Sequence, residues 1–205
     1  MTVHEPYTLL TDYLLAALAG WLAWRLALGA SAAISATRWW GRTLGLTAIS
    51  AFVGGSYHGF GPNFPAVVGI WWTAVLLIVC LLSAAMAMSL LHELVPVKKQ
   101  RLWLVLIAVK FTGFTVWAIV HPVFVVVIAD YGLTLVAWTV AALWVRRAWS
   151  GWMLAGIALS VVAAVAQQMR WGLSPQFNHN DLYHVIQALA LGGFYRAAGK
   201  LSGSG

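Results

Sequence analysis

Long apolar stretches alternate with short polar breaks along the whole chain. A helix needs about 20 apolar residues to cross the hydrocarbon core of a bilayer. Stretches of that kind cover roughly residues 7–29, 43–60, 65–91, 102–120, 122–145, 149–169 and 181–198. No break is long enough to separate domains, and no repeat or low-complexity segment stands out. The pattern predicts an all-α fold, a single bundle of seven transmembrane helices over residues 1–200, with 201–205 as a flexible tail. Pro122, in the tight break before the fifth stretch, reads as a helix starter.

Composition sharpens this picture. Of the 205 residues, 62% are hydrophobic and 8% charged, and the mean hydropathy is +0.85. Soluble domains carry about 25% charged residues, so a water-soluble fold is excluded. The formal charge of +7 arises from 12 Lys+Arg against 5 Asp+Glu. These bases fall between apolar stretches, so they mark topology and not nucleic-acid binding. Arg25, Arg38, Arg42, Lys98, Lys99, Arg101, Arg146, Arg147, Arg196 and Lys200 all map to one side. Cytoplasmic loops carry the Lys/Arg excess. The expected topology therefore has the N-terminus outside and the C-terminus cytoplasmic, in a plasma membrane such as the bacterial inner membrane, with membrane lipids as partners. Cys80 is the single cysteine and sits in an apolar run, so no disulfide framework exists. The N-terminus, with His4 and Glu5 and no basic run, does not resemble a cleavable signal. Most of the 13 tryptophans stand near predicted helix ends, as in an interfacial belt.

Candidate chemistry concentrates in Phe177-Asn178-His179-Asn180-Asp181-Leu182-Tyr183-His184, which opens the last stretch. Residues three and four apart share a helix face. Asp181, Asn180 and His184 therefore group together, with Gln187 one turn on, while His179 is free to turn back from a loop. An N-cap accounts for Asn180 or Asp181. It does not account for His184, a full turn inside the span, where ionisable groups are costly and face the bundle interior. The second stretch ends Gly54-Gly55-Ser56-Tyr57-His58. Its glycines allow another helix to approach. His58 reads either as an interfacial residue bonded to a loop carbonyl or as a metal ligand. A catalytic zinc needs three protein ligands and an open position. His58, His184 and one of His179, Asp181 or Asn180 offer such a set, with Asp12 or Asp181 to activate the zinc-bound water. His58 and His184 also suit the axial positions of a haem. Lys110 and Asp130 both lie near the midplane on adjoining helices, and a buried charge needs a partner, so an ion pair is expected; a proton or ion path is the alternative. The basic side offers no site: His92 and Glu93 read as a solvated loop.

Seven helices, Gly55-Ser56-Tyr57-His58 at the end of helix 2 and Asn180-Asp181-Leu182-Tyr183-His184 at the start of helix 7 resemble the CREST superfamily. That group includes the alkaline ceramidases and the adiponectin and progestin receptor family. The resemblance implies an intramembrane zinc hydrolase acting on a lipid amide or ester, with His58 and His184 as zinc ligands, Ser56, Asn180 and Gln187 in support, and Asp12 in the place of the helix 1 acid. Asn180 stands where the family motif has its first histidine. Ser56 precedes His58 by two residues and not four. No aspartate stands shortly after helix 2, where the family carries one. Three further readings stay open: a non-enzymatic receptor, lipid binder or subunit; a haem protein; and a transporter, for which no inverted repeat is visible.

Overall fold

The computed structural model describes residues 1–29 and 33–203. Seven α-helices follow one another: α1 (Pro6–Leu28), α2 (Ser35–Phe60), α3 (Val68–Leu94), α4 (Gln100–Val120), α5 (Phe124–Val145), α6 (Ser150–Gln168) and α7 (His179–Ala198). Five of them, α1 and α3 to α6, are long and apolar enough to cross a membrane. The α2 and α7 helices fall short of that apolarity, because they carry the hydroxyls, histidines and amides discussed below.

The inward stripe of α1 is regular. Thr8, Asp12, Leu15, Ala19, Leu22 and Leu26 are its buried residues, spaced by three and four as one face of a helix requires. In α7 the buried face runs from Asp181, His184 and Gln187 to Leu191, Phe194 and Ala198. Both stripes begin polar and turn apolar. Helix α1 packs on α2 and α7, α3 packs directly on α5, and α6 bridges α5 and α7. These six helices close a ring. Helix α4 lies outside it, against α3 and α5, and most of its surface is exposed.

The ring has two distinct ends. At one, His4 N–H donates to Gly59 O (3.0 Å), Thr11 meets His184, and Trp72 Nε1 donates to Pro122 O (3.0 Å). At the other, Thr37 Oγ1 donates to Ala198 O (3.1 Å) and Ser89 Oγ to Ala36 O (2.7 Å). Ten of the twelve arginines and lysines gather at this second, basic end; Arg170 stands at the α6–α7 junction of the other end, and Lys110 lies within α4.

Several expectations change. Helix α2 starts at Ser35, eight residues before the expected start at 43, because Thr37 and Ala36 make the bonds just given to α7 and α3. Pro122 precedes the first residue of α5 by two and serves as an acceptor for Trp72. The tryptophans are not all interfacial: Trp40, Trp138 and Trp149 are fully buried. Glu93 is not in a solvated loop. It is wholly buried in the last turn of α3, and Arg147 Nη1 (2.8 Å), Trp149 Nε1 (2.8 Å), Ser202 N–H (3.0 Å) and Gly203 N–H (2.7 Å) all donate to its carboxylate. The tail is correspondingly ordered through residue 203, with Leu201 buried; residues 204 and 205 lie outside the described residues.

Lys110 and Asp130 form an ion pair, and Lys110 Nζ also donates to Ser83 Oγ (2.9 Å). Ser83 Oγ lies 2.9 Å from Thr134 Oγ1. This polar knot joins α4 to α3 and α5 from outside the ring. A buried pair of this kind forms because either charge alone would be costly in the apolar interior.

Candidate functional site

The ring encloses a cavity of about 300 Å³. Its walls come from α1, α2, α3, α5, α6 and α7, with no residue from α4. Along α2 the lining runs from Trp40 to His58, about 27 Å at 1.5 Å per residue. The space is therefore long and narrow. Towards the basic end it is apolar, between Trp40, Leu82, Met86, Leu191 and Phe194. Towards the other end it turns polar, at Asp12, His58, His179, Asn180, His184 and Gln187.

Asp12 and His184 form the centre of the polar part. His184 Nε2 lies 3.1 Å from Asp12 Oδ1, and both side chains are largely buried. His184 Nδ1 lies 3.0 Å from Thr11 Oγ1, which also reaches Thr8 O (3.1 Å) and Asp181 Oδ1 (3.4 Å). The imidazole is thus fixed on both sides by consecutive residues of α1. Close approach of α2 makes room for this. A Cβ added at Gly55 would stand 2.6 Å from Asp12 Cβ and 3.1 Å from the Tyr13 ring, so only glycine lets the two helices meet here.

The start of α7 sets His184 in place. Asn178 is the N-cap, and its side chain accepts from Asn180 N–H (2.7 Å). Asp181 Oδ2 accepts from Asn178 N–H (2.6 Å), closing a capping box that satisfies two otherwise orphan donors. Asp181 holds the helix end and accepts from Thr11, and it is not among the residues that line the cavity. Asn180 contributes its backbone N–H to the cap and its side chain to the cavity rim. His179 is the first residue of α7 and not part of a free loop. Ser56 does not support His58. Its hydroxyl donates to Phe52 O (2.7 Å) and lies 2.9 Å from Tyr13 Oη, because its position on α2 faces α1.

His58 Nδ1 donates to Glu5 Oε1 at 3.2 Å. That bond holds the Glu5 carboxyl below its ordinary range, against the opposing effect of partial burial. Asn63 side-chain bonds to the backbone and hydroxyl of Thr2 tie the same N-terminal strand down. Residues 2–5 thus form a strap beside the cavity mouth.

The polar end falls short of a metal-ligand set. Asp12 Oδ1 and His184 Nε2 converge, but zinc needs three protein ligands. Among the described residues no group of three His, Cys, Asp or Glu side chains is disposed to hold an ion, since His58 is turned to Glu5 and His179 stays at the rim. The zinc set expected from sequence is not assembled in this arrangement. Axial ligation of a haem by His184 would require breaking its contact with Thr11 or with Asp12.

Thr11, Thr8 and Glu5 were missed by sequence reasoning. The run Glu5-x-x-Thr8-x-x-Thr11-Asp12 carried a signal, a polar face at three-residue spacing in an apolar helix. No curated protein and no solved structure matches the chain. The family DUF6962, a family of unknown function, matches residues 7–202, and the chain belongs to it.

Proposed function

We propose that this protein is an integral membrane protein whose seven helices all span the bilayer, with the N-terminus outside and the C-terminus in the cytoplasm. The ten bases at the helix junctions of one end support that orientation. In this reading it hydrolyses the amide or ester bond of a single-chain amphiphile. The observation that carries the reading is the Asp12–His184 pair at the polar top of a long apolar cavity. The cavity takes the acyl chain, and the polar end takes the carbonyl group.

The chemistry follows from the contacts. In the reacting state Thr11 turns its one hydroxyl proton from Thr8 O and Asp181 Oδ1 to His184 Nδ1, so His184 carries its proton on Nε2 and donates to Asp12 Oδ1; the partner of one ring nitrogen fixes the role of the other. Asp12 Oδ2 then takes a proton from a cavity water as that water attacks the carbonyl carbon. The same proton passes to the leaving nitrogen or oxygen, and fatty acid is released. Positioned general-base catalysis contributes about 10²- to 10⁴-fold. Asp12→Asn should therefore lower turnover by about that factor while leaving amphiphile binding intact.

The test incubates detergent-purified protein with long-chain acyl amides and esters and follows fatty-acid release by mass spectrometry. Release that survives Asp12→Asn and His184→Ala would rule the pair out as the catalytic centre. Metal analysis of the same sample decides the zinc variant of this reading: about one zinc per chain, lost in His184→Ala, would mean that the helices rearrange to supply a third ligand. A second reading, an amphiphile receptor or carrier without turnover, is favoured by one observation. Both ring nitrogens of His184 already have protein partners. Bound amphiphile with no released product would select it.

A further inference from the structure

A second recess lies outside the ring, where α4 stands away from α2 and leaves the flank of α3 uncovered. Its volume is about 500 Å³. Gly45 and Ile49 of α2, Leu81, Ala85 and Met88 of α3, and Phe111 of α4 form its walls. From Trp39 to Ile49 it runs about 15 Å at 1.5 Å per residue, half of the roughly 30 Å hydrocarbon core. The recess therefore has the length of one leaflet and not of the whole membrane.

Its basic end is chemically distinct. The Arg42 guanidinium lies 4.2 Å above the Trp39 ring, which holds it at the edge of the groove. Arg38, one turn earlier, bonds Ser35 Oγ (3.0 Å). None of the ion pairs among the described residues involves Arg38 or Arg42. Glu93, the one acidic side chain at this end among the described residues, is already occupied by Arg147, Trp149 and the tail. Arg42 thus borders an apolar, leaflet-deep groove, with Arg38 one turn away on the same helix, and among the described residues neither has a carboxylate partner.

We propose that this groove binds one acyl chain of a glycerophospholipid with an anionic headgroup, whose phosphate sits against Arg42 and Arg38. Gly45 is the position that admits the chain. A Cβ added there would meet nothing within 4 Å, so a larger side chain would grow into the groove without disturbing the helices.

The test is native mass spectrometry of the intact, detergent-purified protein, titrated with phosphatidylglycerol or with phosphatidylcholine of the same acyl chains. A basic side chain near an anionic lipid surface contributes about 1 kcal/mol, or about fivefold in affinity. Phosphatidylglycerol should bind tighter than phosphatidylcholine by at least about that factor. The exposed substitution Arg42→Gln should remove the preference. Gly45→Phe should remove both adducts with the unfolding temperature unchanged. Equal affinity for the two lipids, a preference that survives Arg42→Gln, or an adduct that survives Gly45→Phe would each overturn the proposal. Displacement of the lipid by inorganic phosphate alone would assign the site to a free anion. A dimer in place of a lipid adduct, lost in Gly45→Phe, would assign the groove to a second copy of the chain. Either result overturns the lipid assignment.

Discussion

Glu93 at one end of the ring and Asp12 at the other are both buried carboxylates, and the two are treated differently. Glu93 receives an arginine, an indole N–H and two backbone amides, from the α5–α6 junction, the start of α6 and the tail. It opens on no cavity and ties four parts of the chain together. Asp12 meets one imidazole at 3.1 Å and faces a cavity. A carboxylate saturated with donors fixes a structure. One with an oxygen turned to open space keeps a capacity for chemistry. Burial alone does not separate the two cases; the partner set does.

The largest effect expected from this contrast is at Glu93. Arg147 is 43% exposed and can turn to water, but the Trp149 indole and the two tail amides would lose their acceptor, and each buried donor left unpaired costs about 1–3 kcal/mol. Glu93→Ala should lower the unfolding temperature in detergent sharply and free the tail to proteolysis. A variant as stable as the parent would break the comparison from the structural side. Gly55→Ala comes next. Its Cβ would stand 2.6 Å from Asp12 Cβ, so α1 must move off α2, and overpacking of this kind costs about 1–3 kcal/mol. It should also impair function, whereas Gly45→Ala, with open space around it, should do neither. Asp12→Asn should change stability by no more than about 1 kcal/mol, the net worth of an ordinary hydrogen bond, because the amide can keep the contact with His184. A drop as large as that at Glu93 would make Asp12 structural and would sink the proposed role.

The smallest effect is at the strap. The bond from His58 depresses the Glu5 carboxyl, so its contribution is present above the ordinary carboxylate range and is lost as pH falls through the lowered value. Glu5 is 42% exposed, and exposed pairs contribute about 0–1 kcal/mol. Hydrogen exchange at residues 2–5 should therefore accelerate modestly in acid while the rest of the bundle is unaffected. Exchange that is independent of pH once the intrinsic rate is corrected would show that Glu5 does not hold the strap.

Much of the helix layout was legible in the sequence, because length and apolarity alone fix where a chain can be helical in an apolar medium. The start of α2 was not: Arg38, Trp39, Trp40 and Arg42 look like a loop until Thr37 is seen bonding Ala198. Asp12, His58 and His184 were legible as polar residues that an apolar span tolerates only with partners, and all three line one cavity. The capping bond of Asp181 to Asn178 N–H was legible only as one of two roles, because a capping carboxylate and a catalytic one look alike before the backbone is seen. Glu93 was illegible for a different reason. Its partners lie 54 to 110 residues away, and nothing local announces them.

The two helices that fall short of the apolarity needed to cross a membrane, α2 and α7, are the ones that supply Gly55, His58 and His184. An apolar medium alone would hold them poorly. Helix α2 directly follows α1 and packs on it, whereas α7 packs on α6 before it and on α1 at the far end of the order. Its own polar face becomes tolerable only when Thr11 and Asp12 receive it. Seating α7 and joining His184 to Asp12 are then a single event. Without α7 the ring would stay open between α1 and α6, and Asp12 would lack its partner.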